Sequence, residues 1–121
     1  MDIVIMDYGD PMPTPSINSR VSPAMLQILL ALAEEDLHGY GIMRAIEERS
    51  EGSVELGPGT LYRTIAHLRD RGWIVEVETR SEGKRTYQIT PTGREVAGTE
   101  ARRLSRLVSW AAASNLLEGA E

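Results

Sequence analysis

The sequence predicts a mostly helical α+β fold: three helices, a two-stranded hairpin, then one long helix. Two observations predict it. Leu61, Ile65 and Leu68 in one stretch, and Leu104, Leu107, Val108 and Ala111 in another, fall at the three- and four-residue spacing of a helix face. Between those stretches, VEVET (75–79) and KRTYQIT (84–90) alternate apolar and polar, and the RSEG between them offers Gly83 at a tight hairpin position.

The elements follow in order. Residues 1–21 mix Asp, Gly and three Pro with no sustained period, which describes a flexible arm in which Ile3-Val4-Ile5 can dock as a short strand. Ser22-Pro23 places an N-cap before Pro at the first helical position. The following AMLQILLALA is apolar nearly all round, so this helix should be buried on more than one side, either centrally or under a partner chain. EEDLHG breaks it. A second helix is expected from Gly39 to Arg49, with Tyr40, Met43 and Ile46 inward and Arg44, Glu47 and Glu48 outward. After the loop SEGSVELG, a third helix opens on Pro58 and closes at Gly72, where a left-handed residue ends a helix at little cost. Thr90-Pro91 starts the last helix, with Thr92 and Glu95 at capping-box spacing. It is expected to run to Leu117, about 40 Å at 1.5 Å per residue. The divisions are 1–21 for the arm, 22–90 for the compact unit and 91–121 for the last helix and tail.

Composition narrows the chemistry. The 121 residues suffice for one domain, and 41% hydrophobic with 26% charged residues is ordinary for a soluble protein. Without Cys there is no disulfide, thiolate metal site or Cys nucleophile, and two His (His38, His67) argue against a histidine metal centre. No apolar run is long enough to span a membrane, and MDIVIM is too short and acidic for a signal peptide, so a cytoplasmic location is expected. Nothing supplies a nucleophile with a base or a phosphate-binding motif, so neither enzyme activity nor a cofactor is expected. Although the chain carries a net charge of −5, residues 58–94 hold seven bases and four acids, which makes that window +3 and leaves −8 elsewhere. Such asymmetry fits a local anion-binding face, and a solvated surface of uneven charge is the alternative.

Two helices joined by a short loop and followed by a basic hairpin describe a winged helix-turn-helix. A helix about 10–12 Å across enters the DNA major groove, and a basic hairpin tip reaches neighbouring phosphates. The third helix would present Thr60, Arg63, Thr64 and His67, and the wing Arg80, Lys84 and Arg85. Tyr62 lies between faces and suits a partly buried place beside the wing. Tyr87 and Ile89 point to one side of their strand and are expected in the core.

HGYGI (38–42), LGPGTLYRTIAHLRDRGWI (56–74) and KRTYQITPTGRE (84–95) resemble the PadR family of bacterial transcriptional regulators, over residues 22–117. The single C-terminal helix is similar to that of the family's shorter subgroup. The resemblance implies sequence-specific DNA binding, a homodimer built from the first and last helices, and repression released by a small molecule. It also implies a phosphate or groove contact for Tyr62 of the GTLY run, as an alternative to its place beside the wing, and a core position for Trp73, where the family carries a buried aliphatic residue. Two positions depart from the family pattern. Gly57 replaces a small hydroxyl residue as the cap of the third helix, and Gly41 replaces an acidic residue in the second.

The last helix also turns Trp110, Ala113, Ser114 and Leu117 to a second apolar side, too much for a small core to cover, so a twofold homodimer is expected. Met25, Leu29, Leu104, Leu107, Val108, Trp110 and Ala111 are assigned to that interface or to an apolar or aromatic effector held within it. Trp110 serves there as interface anchor or as stacking platform. A twofold dimer would read a pseudo-palindromic operator in double-stranded DNA. A winged-helix module that docks proteins without binding DNA is the alternative function, and the +3 window favours DNA.

Overall fold

The computed structural model describes residues 21–54, 56–77 and 84–117. Their order is α1 (Pro23–Glu34), β1 (Leu37–His38), α2 (Gly39–Arg49), α3 (Pro58–Asp70), β2 (Ile74–Val77), β3 (Thr86–Ile89) and α4 (Pro91–Ala113). Residues 1–20 of the predicted arm (1–21), Arg80 and Gly83 lie outside the described residues.

Helices α1, α3 and α4 begin where their chemistry dictates. Ser22 caps α1: its hydroxyl accepts the Met25 N–H at 3.2 Å, and its own N–H donates to the Met25 sulfur at 3.4 Å. Pro58 opens α3 behind Gly57, which contributes no side-chain cap. Gly72, at φ 76°, closes that helix with its N–H on the Arg69 carbonyl, and the Trp73 N–H reaches back to Leu68. Thr90 caps α4 ahead of Pro91, as expected, its hydroxyl accepting the Gly93 N–H at 3.0 Å, so the cap is made by Thr90 and not by the Thr92–Glu95 pair. The helical part of α4 stops at Ala113 and not at Leu117. Asn115 adopts φ 66°, and the Asn115 and Leu116 N–H groups bond back to Ala112 and Ala111, ending the ladder in a left-handed turn.

The sheet has three strands, where the sequence predicts two. Leu37–His38 adds a short antiparallel strand beside Tyr87 and Thr86, giving the order β1-β3-β2. Two residues carry no readable period, so this strand was invisible in the sequence. On the other side of β3 the register pairs Ile74 with Ile89 and Glu76 with Tyr87.

One core joins all the helices. Ile28, Leu29 and Leu32 of α1, Ile42 of α2, Leu61, Ile65 and Leu68 of α3, and Ile74 of β2 are fully buried, each contributing about 1.5–3 kcal/mol relative to exposure. Tyr87 and Ile89 lie among them, as expected, and Trp73 packs half-buried at their edge. Helix α1 is therefore central, and the expectation for two of its residues is corrected. Met25 and Leu29 are buried by the chain's own core, leaving Leu30, 46% exposed, as the large apolar residue that α1 exposes. Tyr40, expected inward, is exposed, with the Arg44 guanidinium 5.8 Å from its ring centre. The first turns of α4 belong to the same body: Gly93 and Ala97 are buried, and Arg94 donates to the Ala33 carbonyl at the end of α1. Beyond Leu104 the helix leaves the core.

Candidate nucleic-acid interface

Helix α3 carries two chemistries on one cylinder. Leu61, Ile65 and Leu68 fix one side in the core, so the opposite side is held at a fixed height and rotation. Thr60, Tyr62, Arg63 and His67 are exposed there, and Thr64 is partly covered. The Thr64 hydroxyl donates to the Thr60 carbonyl at 2.7 Å, which occupies its proton within the helix and leaves it an acceptor. Arg63 reaches the Thr60 hydroxyl only at 3.5 Å, so its guanidinium is nearly uncommitted.

The base of the wing brings Lys84 and Arg85 beside this helix, both exposed. With His38, Tyr40 and Tyr62 they line a notch of about 410 Å³ whose floor includes Gly39 and Tyr87. Tyr62 is 51% exposed, and its hydroxyl end meets the start of α2. Sequence reasoning assigned Tyr62, Lys84 and Arg85 but missed His38 and Tyr40. The contiguous HGY run was the available signal, and the inward assignment of Tyr40 masked it.

The cations are not all free. Glu76, on the strand next to Tyr87, lies 3.7 Å from Arg85 and 4.0 Å from Arg69. Arg71 covers the Trp73 ring at 5.3 Å, and Arg94 is committed to the Ala33 carbonyl. Much of the +3 window is thus structural, and among the described residues Arg63 and Lys84 are not drawn into an ion pair.

A second surface lies along α4. Leu104 packs against the core, Ala111 is partly covered, and Leu107, Val108 and Trp110 are exposed, Trp110 by 71%; Leu116 and Leu117 continue the exposed apolar surface past the helix end. Among the described residues no helix is long and apolar enough to cross a membrane, and no three His, Asp or Glu residues group to hold a metal ion.

The match to known proteins is consistent with this arrangement. Residues 28–99 match the transcriptional regulator PadR-like family. The chain is 39% identical over 88 residues to an uncharacterized 37.1 kDa protein in transposon TN4556 of Streptomyces fradiae, covering 73% of this chain and 25% of that protein. It is 31% identical over 68 residues to the transcriptional regulator YqjI of Escherichia coli, covering 56% of this chain and 32% of that one. The chain therefore spans about a quarter to a third of those two relatives. The transcriptional regulator Rv3488 of Mycobacterium tuberculosis is nearer in size: 32% identical over 84 residues, 68% of this chain and 76% of that one. A transcriptional regulator from Clostridium thermocellum superposes with a TM-score of 0.64 at 26% identity, over 77% of this chain and 90% of that one. A PadR family regulator from Clostridium difficile shares the fold, with a TM-score of 0.60 at 20% identity over 71% and 93% of the two chains. With more than half its length matched by the family model and its winged-helix body shared with these structures, the chain belongs to the PadR-like family of transcriptional regulators.

Proposed function

We infer that the chain is a sequence-specific DNA-binding regulator that works as a homodimer, as a repressor relieved by a small apolar or aromatic effector. The observation that carries the reading is the two-sided character of α3: a fully buried stripe beneath Leu61, Ile65 and Leu68, and an exposed face of Thr60, Tyr62, Arg63 and His67 beside Lys84 and Arg85. In this reading α3 enters the major groove, where Arg63 contacts a base edge, while Lys84 and Arg85 meet phosphates. Arg80 belongs to the same wing by sequence.

The homodimer is supported by Leu107, Val108 and Trp110 on α4 and Leu30 on α1, apolar surface of the kind that marks a contact site. A twofold axis sets the two α3 helices about one or two turns of DNA apart and predicts a pseudo-palindromic operator. The effector reading is supported by Trp110, a flat exposed ring next to Ala111, Ala112 and Ala113, which leave space beside it. The test is selection of duplex DNA from a random library, followed by binding of the enriched sequence across a salt series. Enrichment of a twofold-symmetric sequence whose affinity falls steeply with salt is expected. An unenriched pool, or binding indifferent to salt, excludes the reading.

A further inference from the structure

The HGY run places Gly39, a buried residue, directly after the β1–β3 pairing at the first position of α2. Its backbone does not need glycine, since the glycines in the left-handed region are Gly52 and Gly72. Space does. A Cβ at position 39 would overlap the Tyr62 hydroxyl oxygen and stand 2.7 Å from Cζ and 3.0 Å from Cε1 of the same ring. At Gly57 and Gly59, beside the start of α3, a Cβ would meet nothing within 4 Å. Helices α2 and α3 therefore touch here through an absent side chain on one and a phenol on the other.

We propose that Gly39 is a positioning residue for DNA binding: lacking a Cβ, it seats the Tyr62 hydroxyl in the notch beside Lys84 and Arg85, where the phenol donates a hydrogen bond to a DNA phosphate. This rests on the DNA-binding reading above. Lys84 and Arg85 attract phosphate but sit on long, exposed side chains that must be ordered on binding. A phenol braced against helix backbone has little freedom left to lose, and its O–H donates to a charged acceptor, the stronger kind of hydrogen bond. The atoms that a methyl group at 39 would displace are the far end of one side chain and not backbone. Gly39→Ala accordingly keeps the fold and moves the donor.

The test compares wild type, Gly39→Ala, Tyr62→Ala and the double variant by thermal melting and by binding to the library-enriched duplex across a salt series. Gly39→Ala is expected to melt with wild type and to bind about tenfold more weakly, the loss of one hydrogen bond to a charged acceptor. Its salt slope is expected to match wild type, because a neutral phenol releases no counterion. In the Tyr62→Ala background, where the space is empty, Gly39→Ala is expected to be silent in both measurements. This comparison decides the matter even if Gly39→Ala alone fails to fold. A further loss in the double variant, a flattened slope, or wild-type affinity in Gly39→Ala overturns the proposal while leaving DNA binding intact. A wild type that enriches no DNA overturns both.

Discussion

Gly93 lies against the carbonyl of Trp73, the group that also accepts the Thr90 N–H at 3.0 Å. A Cβ at 93 would overlap that oxygen and come within 2.9 Å of Ile89 Cγ1. The hydroxyl of Thr90 adds a 2.7 Å bond to the Gly72 carbonyl, so the end of α3, the end of β3 and the start of α4 are pinned together. This junction fixes the direction in which α4 leaves the core.

The first prediction is a reversal of sign between two glycines of one helix. Gly98 has only the Arg102 guanidinium near its missing Cβ, at 3.4 Å, so Gly98→Ala should stabilise by about 0.5–1 kcal/mol through helix propensity. Gly93→Ala meets backbone that cannot swing aside and should destabilise by about 1–3 kcal/mol. Urea titration of both variants measures this, and equal effects would contradict the packing at Trp73.

Most of the fold was legible because α1, α3 and α4 announce their starts chemically. Ser22-Pro23, Gly57-Pro58 and Thr90-Pro91 lie at three observed helix starts, and the stripe of Leu61, Ile65 and Leu68 points inward as its spacing requires. What escaped depends on contacts distant in sequence. The β1 strand exists only because Leu37 and His38 meet Tyr87 and Thr86. Met25 and Leu29 read equally well as core or interface, since periodicity locates an apolar face without naming what covers it. Tyr40 read as inward because it shares a helix face with Met43, yet at the first turn it lies beyond the edge of the core. Of the candidate site, the α3 face and the wing cations were visible as residue types. The acidic partner of Arg85 was not, because Glu76 comes near it only through the β2–β3 register.

Truncations within the interface should separate base reading from charge. Arg63→Ala should cost about 1–3 kcal/mol on the selected operator and relax preference at one base position, with little effect on unrelated DNA. Lys84→Ala should weaken both kinds of DNA alike and reduce the salt slope by about 1. Indifference of all variants on this surface would remove it from the interface.

Glu76 should act as a brake on the wing. Its carboxylate lies 3.7 Å from Arg85 and 4.0 Å from Arg69, so in the proposed DNA complex it would compete with phosphate for both and repel the DNA backbone. Exposed pairs of this kind are worth about 0.2–1 kcal/mol, so Glu76→Gln should tighten DNA binding by up to about fivefold and steepen the salt dependence. Weaker binding would mean that the pairs hold Arg85 in its working position instead.

The exposed apolar side of α4 should hold two copies together. Light scattering at micromolar concentration is expected to give twice the 13.4 kDa chain mass, and Val108→Glu, which puts a charge among Leu107, Trp110 and Ala111, is expected to give the chain mass. The variant should keep its helical content, since Val108 contributes nothing to the core. A monomeric wild type would remove the symmetry on which the palindromic operator depends.

The last prediction concerns Trp110 as a ligand platform. Its ring is 71% exposed, whereas Trp73 is half-buried beneath Arg71, so the two indoles report different places. In the proposed dimer, opposed α4 helices meeting at Ala111, Ala112 and Ala113 would leave a gap, because small side chains would not fill it. A planar aromatic compound entering it would stack on Trp110, adding about 0.5–1.5 kcal/mol beyond burial. It can change DNA affinity only through differential affinity for two spacings of the α3 helices. In Trp73→Phe, Trp110 is the sole tryptophan, since the chain has two. Titration of that variant with planar aromatic compounds should quench its fluorescence, and the compounds that quench should weaken operator binding in parallel. Quenching without a change in DNA affinity would make Trp110 a passive binding site, and no quenching across the series would leave Trp110 as an anchor of the proposed dimer.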